Sequence, residues 1–523
     1  MTHPFRRAAI VGVALLPLAA SAFIVESARE RSGPHLFDEV LSLVSDRFVD
    51  TVSSAALYEK AARGLVRELQ DPYAALYSPK ELQDFTRMTG GRYGGLGMLV
   101  EDQEGTIVVT KVYPHTPAEG AGVHEGDRIV GVDQQSTRGM KLVQVTDLLK
   151  GTPGTTVKVS FARPGTQAAL DLTLTRAVIR IPAVPFAIMF DGKVGYIPLQ
   201  QFNETSANEF ADAVRRLSRE GARGIVIDLR GNGGGIVDQA IAISNLFLRN
   251  GQQIASVRAR GGDTQVYTAK GDPVAPTIPL VVLTDGYTAS ASEIVAGALQ
   301  DHDRALLLGT TSFGKGLVQS LFPLDGGWAL KLTTAKWYTP SGRSIQKERK
   351  FIDGRLIDEP DSVESDSARR ARPMYKSDAG RVVYGGGGIT PDVVVRPDTL
   401  DSTEQEFVKA VTPKSQEFYV TLYNYAFDLK DKVRPDFSVS PAWRDEFYKR
   451  LTAAGVSLDR GLYDRASSEV DRLLGDRVAR LAFGDSTAKR RELGDDVQLE
   501  RAIDIIRKGQ TQADLLATAS ASH

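Results

Sequence analysis

The segment that most constrains the fold joins an apolar run, residues 279–284, to an apolar-periodic helix that begins just after Ser290. A strand that ends where a helix begins is typical of an α/β sheet, and the first free N–H groups of that helix point at the junction. Lys315 follows 25 residues later, between two glycines and soon after the apolar run 305–308. Because an ammonium on an apolar surface loses hydration, its pKa falls, and neutral lysine can take the proton of a serine hydroxyl. The pattern therefore predicts a serine–lysine hydrolase site at the edge of an α/β sheet.

Three separated elements of this region resemble one protein family. They are Ala-Ser-Ala-Ser-Glu at residues 289–293, Phe-Gly-Lys-Gly at residues 313–316, and Gln319. Their residues and spacing are similar to those of the carboxyl-terminal processing peptidases, also called tail-specific proteases. The resemblance implies Ser290 as nucleophile, Lys315 as general base and Gln319 as the residue that orients the amine.

A glycine-rich turn at residues 230–235 follows another apolar run and opens another helix. It is similar to the family's Asp-Leu-Arg-x-Asn-x-Gly-Gly turn, which lets a backbone amide face the scissile carbonyl. The resemblance implies an oxyanion hole formed by the amide of Ala291 together with that of Gly234 or Gly235. The family commonly has proline where this chain has Gly233, so we expect a looser turn.

Two alternatives bear on the same segment. Ser292, two residues beyond Ser290, is a second candidate nucleophile, although a serine at a helix start is more often a cap or a packing residue. Residues 309–315 nearly spell a phosphate-binding loop, Gly-x-x-x-x-Gly-Lys. Gly316 stands where that loop needs a hydroxyl for Mg²⁺, and the following residues predict a strand rather than a helix, so we reject the phosphate-binding loop.

Residues 91–176 resemble a PDZ domain of the circularly permuted, protease-associated kind. A glycine-rich stretch enters a strand at residue 98, and a pair of Pro-Ala and Ala-Gly turns precedes Gly-Asp at residues 126–127. Such a domain binds an extended C-terminal tail as an added strand, so the resemblance implies protein substrates with apolar C-terminal tails. The resemblance implies that the tail carboxylate binds the loop of Gly95, Leu96 and Gly97. Candidates for the groove that holds the tail are Leu142, Val145 and Leu149, and ordinary core packing is the alternative for these three.

The N-terminus predicts export. Two arginines at residues 6–7 precede an apolar run, residues 8–25, and Ala-Ser-Ala at residues 20–22 is typical of a cleavage site. About 18 apolar residues is borderline for spanning a bilayer, so residues 1–30 are predicted to be a signal peptide or a single membrane anchor. The predicted location is the periplasm or the outer face of the inner membrane of a bacterium, with membrane contact only through this segment.

Composition and histidine placement exclude several classes. The 64 basic and 65 acidic residues, without a basic block, argue against nucleic acid as a partner, and the absence of cysteine removes thiol catalysis and disulfides. His302 is the one histidine in the predicted catalytic region, and the intervening helix puts it about 18 Å from Ser290, too far for a Ser-His-Asp triad. The sequence lacks the His and carboxylate patterns of metal sites, so we expect no metal and no other cofactor.

Taken together, these patterns predict an α/β fold in which a ClpP/crotonase-like serine protease core carries an inserted circularly permuted PDZ domain. The predicted divisions are a signal or anchor at 1–30, an N-terminal helical segment at 31–90, the PDZ domain at 91–176, the protease core at 177–398 and a C-terminal helical accessory domain at 399–523. The predicted function is an exported serine endopeptidase that cleaves proteins near their C-termini after the PDZ domain captures the tail. A catalytically inactive PDZ adaptor and a crotonase-like acyl-transforming enzyme are the alternatives, and adaptor binding or self-association through the terminal helical regions stays open.

Overall fold

The computed structural model describes residues 34–520, except residues 104, 164–165, 167, 353–354 and 358–369. The predicted signal peptide or anchor, residues 1–30, lies outside the described residues. No helix in the described part of the chain is long and apolar enough to cross a bilayer. The chain divides into two compact units: one contains the residues up to Ser78, Leu321–Thr333 and Phe351–Leu356, and the other contains the rest.

The smaller unit contains the N-terminal helices that the sequence predicts. Residues 34–47 are helical, and Ser53 caps helix Ser54–Glu68 by accepting a backbone N–H of its first turn at 3.3 Å. Strand Ala75–Tyr77 follows and pairs antiparallel with residues 329–331. Most apolar side chains of residues 34–47 are exposed, so this helix leaves its apolar face in solvent.

Residues 92–180 form an antiparallel sheet domain in the larger unit. Its strands, in spatial order, are Met98–Gln103, Thr106–Val112, Arg128–Val132, Thr156–Ala162 and Leu170–Thr175, with Gln135–Ser136 paired to the third; its helices are Pro117–Gly120 and Leu142–Leu149. Strands Arg92–Gly95 and Ala177–Arg180 pair where the chain enters and leaves the domain, which therefore extends beyond the predicted end at residue 176. The circular permutation of this domain stays a prediction.

The second domain of the larger unit is built on a six-stranded sheet in which all neighbouring pairs but the first are parallel. In spatial order its strands are Ile188–Phe190, Val194–Pro198, Gly224–Asp228, Leu280–Thr284, Leu306–Gly309 and Val393–Val394. The carboxyl ends of parallel strands lie along one edge, and the segments that lead to Ser290 and Lys315 both start there. The α/β prediction is confirmed.

Both faces of this sheet are buried, as the continuous apolar runs of its strands require. On one face, Ile225 and Ile227 join the core that packs beneath helices Ser206–Arg219, Val237–Asn245 and Ala291–Asp301. On the other face, Val226 packs in a second core with Ile503 and Ile506 of helix Val497–Lys508 and with Leu515 of helix Gln512–Ser520. The last helices of the chain therefore complete the sandwich around the sheet.

The preceding C-terminal helices have a core of their own, centred on Phe407, Phe418 and Phe447. They are Ser402–Val411, Ser415–Leu429, Pro441–Ala453, Arg460–Arg465 and Ser467–Phe483, and the short helix Asp485–Arg491 follows. The sequence assigned all of residues 399–523 to one accessory domain. The structure instead places residues 497–520 against the protease sheet, because the apolar face of helix Val497–Lys508 and Leu515 of the last helix pack on its second face.

We expect Ile503→Ala to destabilise the protease sheet by about 2–5 kcal/mol, because it removes a fully buried side chain from the second face. Amide hydrogen exchange in strand Gly224–Asp228 should become faster. The matched control is Leu451→Ala, an equally buried residue in the separate helical core, which should leave exchange in that strand unchanged. Unchanged exchange in Ile503→Ala would contradict this assignment of the last helices.

Candidate active site

Ser290 lies in a strained turn between a sheet strand and a helix. Strand Leu280–Thr284 ends at the sheet edge, and Ser290 is the N-cap of helix Ala291–Asp301 with φ 56° and ψ −114°. A positive φ is unfavourable for a residue with a Cβ, by about 1–3 kcal/mol, and persists only where surrounding contacts impose it. Such a strand-to-helix turn is typical of a nucleophile elbow, which presents its side chain above the sheet.

The Asp285 carboxylate organises the start of this turn. Its Oδ1 accepts the N–H groups of Tyr287 and Thr288 at 3.0 and 2.9 Å and the Thr288 hydroxyl at 3.0 Å. Both Asp285 oxygens also accept the N–H of Gly231, at 3.1 and 3.0 Å, in the neighbouring glycine turn. These bonds explain how the chain is held in an unfavourable conformation at Ser290.

Glu293 connects the Ser290 turn to the Lys315 loop. Its Oε2 accepts the backbone N–H of Ser290 at 2.7 Å and that of Lys315 at 2.9 Å. Its Oε1 accepts the N–H of Gly314 at 2.6 Å and the hydroxyl of Ser312 at 2.5 Å. Because one oxygen binds both N–H groups, the backbones of Ser290 and Lys315 lie within two hydrogen-bond lengths of each other.

The Glu293 side chain is completely buried, at 0% exposure. Burial raises the pKa of this carboxyl, whereas its hydrogen bonds from Ser312, Lys315, Ser290 and Gly314 act in the opposite direction. The Glu293 carboxyl can therefore lie in the core only because four hydrogen-bond donors surround it.

Lys315 is half-buried and its backbone is fixed on both sides. Its N–H binds Glu293, and its carbonyl accepts the indole N–H of the buried Trp337 at 2.9 Å. Gly314 has φ 84°, and a Cβ there would lie 2.8 Å from the Cβ of Lys347 and 2.9 Å from the N of Gly388. The glycine before Lys315 is thus needed both for its backbone conformation and for close packing.

The glycine turn lies directly against the Ser290 turn. A Cβ added to Gly234 would lie 2.7 Å from the carbonyl oxygen of Ala289 and 2.9 Å from the N of Ala291, and Gly234 has φ 95°. The Gly234 N–H already donates to Asn232 Oδ1 at 2.9 Å. Of the two glycines proposed as oxyanion donors, Gly234 therefore has its donor engaged.

Gly235 is differently placed. It pairs with Phe202 in a parallel bridge in which Phe202 N donates to Gly234 O and Ile236 N donates to Phe202 O, at 3.2 and 2.8 Å. This pairing directs the N–H of Gly235 itself away from Phe202. Within the described residues, the N–H groups of Gly235 and Ala291 donate no hydrogen bond, so they are the better pair of candidate oxyanion donors.

The side chain of Ser292, the second candidate nucleophile, is buried and hydrogen-bonded. It is 0% exposed, and its hydroxyl donates to the carbonyl of Asn232 at 2.9 Å. The same carbonyl accepts the N–H of Ala289 at 3.0 Å. Ser292 thus joins the helix start to the glycine turn, which is a structural role.

Gln319 lies on a strand, and His302 lies at the far end of the helix that begins after Ser290. Gln319 is half-buried in strand Leu317–Pro323, so the chain between Lys315 and Gln319 is extended. His302 caps the far end of helix Ala291–Asp301 and binds Asp378 Oδ2 and Gln253 O through its two ring nitrogens, both at 2.7 Å. In the described part of the chain, no cluster of three or more His, Cys, Asp or Glu side chains could hold a metal ion.

The predicted PDZ residues divide between a loop and the core. Gly97 has φ 83°, and a Cβ there would lie 2.2 Å from Thr116; its carbonyl accepts the N–H of Tyr113 at 2.9 Å. The Leu96 carbonyl accepts the N–H of Ala118 at 2.9 Å, and Gly95 ends the preceding strand. The carbonyl groups of Leu96 and Gly97 are thus hydrogen-bonded to other backbone N–H groups of the domain.

The groove prediction needs correction for two helix residues. Val145 and Leu149 are 0% and 6% exposed and belong to the hydrophobic core of the domain, because their helical face points at the sheet. Leu142 is partly exposed beside that core. Of the three helix positions, Leu142 is therefore the one that can contribute surface to a groove.

Sequence reasoning did not assign roles to Glu293, Asn232 and Asp285. A signal for Glu293 was present, since a Ser followed three residues later by Glu at a helix start is a capping box. Asn232 acts through contacts with segments about 60 residues away, and Asp285 acts through a contact with Gly231, 54 residues away. Local patterns do not encode such pairings.

Two family models match the chain: Peptidase family S41 over residues 193–353 and PDZ domain over residues 84–161. The carboxy-terminal-processing protease of Bartonella bacilliformis is 37% identical over 314 residues, which cover 59% of this chain and 72% of that protein. The carboxy-terminal processing protease CtpA of Bacillus subtilis is 34% identical over 344 residues, or 65% of this chain and 73% of that protein. A solved structure, the photosystem II D1 C-terminal processing protease, is 29% identical and covers 68% of this chain and 86% of its own, with a TM-score of 0.38.

We expect Glu293→Gln to lower the free energy of unfolding by about 1–3 kcal/mol, because the amide NH₂ would face two N–H donors that the carboxylate now accepts. Chemical denaturation measures this. The matched control is Glu404→Gln, at the same N3 position of helix Ser402–Val411, where the carboxylate accepts the Asp401 N–H and an amide oxygen can replace it. Equal stability loss in both variants would show that Glu293 is only a helix cap.

Proposed function

This chain belongs to the carboxy-terminal-processing serine proteases of peptidase family S41, and from that premise we propose that Ser290 and Lys315 carry out its reaction as a serine–lysine dyad. The observation that supports the assignment is the Glu293 carboxylate, which holds the backbones of both residues through one oxygen. The strained backbone of Ser290 supports it as well, since such strain is concentrated at functional sites.

In the proposed reaction, the Ser290 hydroxyl attacks the scissile carbonyl while the neutral Lys315 amine accepts its proton. The tetrahedral oxyanion is stabilised by the N–H groups of Ala291 and Gly235. Its collapse forms an acyl-enzyme on Ser290 and releases the new amine, which takes the proton back from Lys315. Water then attacks the acyl-enzyme carbonyl while Lys315 takes a proton from it. Collapse of this second intermediate breaks the ester bond, releases the carboxyl product and returns the proton from Lys315 to the Ser290 oxygen. Gln319 is assigned a role in orienting the amine.

Tail capture by the PDZ domain supplies the proposed specificity for C-termini. The loop of Gly95, Leu96 and Gly97 would bind the terminal carboxylate through backbone N–H groups, and the tail would add a strand beside Met98–Gln103. Substrates are then proteins with extended, apolar C-terminal tails. We also propose that the protease is exported, on the basis of residues 1–30.

Ser290→Ala and Lys315→Ala are each expected to abolish cleavage of a tail-bearing protein, because one removes the nucleophile and the other its base. A fluorophosphonate probe followed by mass spectrometry should label Ser290 in the unmodified protein. Ser292→Ala is the matched control and should keep the label, since its hydroxyl faces Asn232. Full activity of Lys315→Ala would contradict the dyad, and failure of the probe to label Ser290 would favour an inactive adaptor.

Converting the C-terminal carboxylate of a peptide substrate to an amide should raise KM by about 10- to 100-fold with little change in kcat, because charged hydrogen bonds in the PDZ loop are worth about 1.5–3 kcal/mol. Steady-state cleavage of matched acid and amide peptides measures the effect. A short ester substrate without a tail serves as the control. The enzyme should hydrolyse it equally fast without either peptide and with a low concentration of the acid or the amide peptide. Equal KM values for acid and amide would contradict carboxylate capture.

A further inference from the structure

Arg230, at the start of the glycine turn, has all five guanidinium N–H donors engaged by three side chains. Nε and Nη2 donate to the carboxylate of Asp228 at 2.9 and 2.7 Å. Nη1 and Nη2 donate to the two oxygens of Asp496, both at 2.8 Å, and Nη1 also donates to Gln498 Oε1 at 2.9 Å. A guanidinium presents its donors in a rigid planar fork, so this set of acceptors fixes its position and orientation.

The acceptors come from two distant parts of the chain. Asp228 ends a central strand of the sheet, whereas Asp496 is 266 residues from Arg230 and lies outside the matched range 193–353. The Arg230 and Asp496 side chains are only 19% and 14% exposed, and Lys489 contacts Asp496 at 2.8 Å. Burial alone would raise the pKa of Asp496, but Arg230 and Lys489 hold that pKa below its usual value. A charged, largely desolvated pair therefore joins the two segments.

The turn that Arg230 begins leads directly to Gly235, one of the two candidate oxyanion donors. Gly231 is bound to Asp285, Asn232 is completely buried, and Gly235 follows three residues after Asn232. Preorganised donors stabilise a developing oxyanion only when they are held at the right distance from it. Because only four residues separate Arg230 from Gly235, the position of Arg230 limits where the N–H of Gly235 can lie.

We propose that Asp496 is a positioning residue for the oxyanion hole: through Arg230 it fixes the start of the glycine turn and with it the N–H of Gly235. The inference rests on the proposed function, because it gives a contact far from the substrate a role in peptide hydrolysis. The C-terminal segment thereby completes the active site in addition to covering the sheet.

Asp496 has a second role that the test must separate from positioning. It is the N-cap of helix Val497–Lys508, where its Oδ1 accepts the N–H of Leu499 at 3.0 Å. Asp496→Asn keeps an oxygen for the cap but loses the second carboxylate oxygen and the charge that hold Arg230. The matched control is Asp459→Asn, the N-cap of helix Arg460–Arg465, which accepts the N–H of Leu462 at 2.8 Å in a helix without a bond to Arg230.

We expect Asp496→Asn to lower kcat by roughly 10- to 100-fold at unchanged KM, since part of the effect of losing an oxyanion donor should appear. Its affinity for a peptide aldehyde, whose adduct with Ser290 places an oxygen in the oxyanion hole, should fall in parallel. Asp459→Asn should behave like the unmodified protein. Unchanged kcat in Asp496→Asn, an equal loss in Asp459→Asn, or a rise in KM alone would overturn the proposal.

Amide hydrogen exchange separates failure of this inference from failure of the proposed function. In the Ser290→Ala background, Asp496→Asn should accelerate exchange of the Gly234 N–H, which binds Asn232 in the same turn. Unchanged exchange of the Gly234 N–H would overturn the coupling between Asp496 and the glycine turn, even if the unmodified protein cleaves peptides. Faster exchange in a protein whose Ser290 proves dispensable would support the coupling and reject the serine mechanism.

Discussion

One buried carboxylate holds the candidate catalytic segments together. Glu293 accepts four hydrogen bonds from residues on both sides of it, and these include the N–H groups of Ser290 and Lys315. A buried carboxylate is costly unless it is surrounded by donors, so the Ser290 turn and the Lys315 loop are each needed to stabilise the group that joins them. Their relative position is therefore set by a mutual requirement for hydrogen bonding, which a hydrophobic contact would specify less sharply.

The sheet supplies the rigidity on which this arrangement depends. Ser290 sits in an unfavourable backbone conformation, and Asp285 and Asn232 hold the turn there through bonds to the neighbouring glycine turn. Both turns leave the sheet from adjacent parallel strands, Gly224–Asp228 and Leu280–Thr284. A parallel sheet must be buried on both faces, and the last helices of the chain bury the second one. Strain at the proposed nucleophile is thus supported by packing contributed more than 200 residues later in the sequence.

Short-range sequence patterns predicted the elements whose conformation depends mainly on neighbouring residues. The apolar strand before Ser290, the helix after it and the glycines around Lys315 each follow from short-range patterns, and the strand–helix alternation indicated the α/β class. Periodicity could not separate the groove from the core at Val145 and Leu149, because both faces of a short helix on a small sheet carry apolar residues. It also could not distinguish a helix that covers the protease sheet from one in an accessory domain, since both are amphipathic. The bond from Arg230 to Asp496 joins residues with no shared local pattern.

The way in which Glu293 is bound also bears on the chemistry of Lys315. A carboxylate close to an ammonium normally favours the charged form, which would remove the lone pair that a general base needs. The Glu293 oxygens have about four lone-pair positions, and four donors already occupy them, three of which are backbone N–H groups. The carboxylate can therefore position the backbone of Lys315 without offering a further acceptor to its amine. The proposed base is therefore located through its backbone N–H, by a bond that does not depend on the protonation state of its side chain.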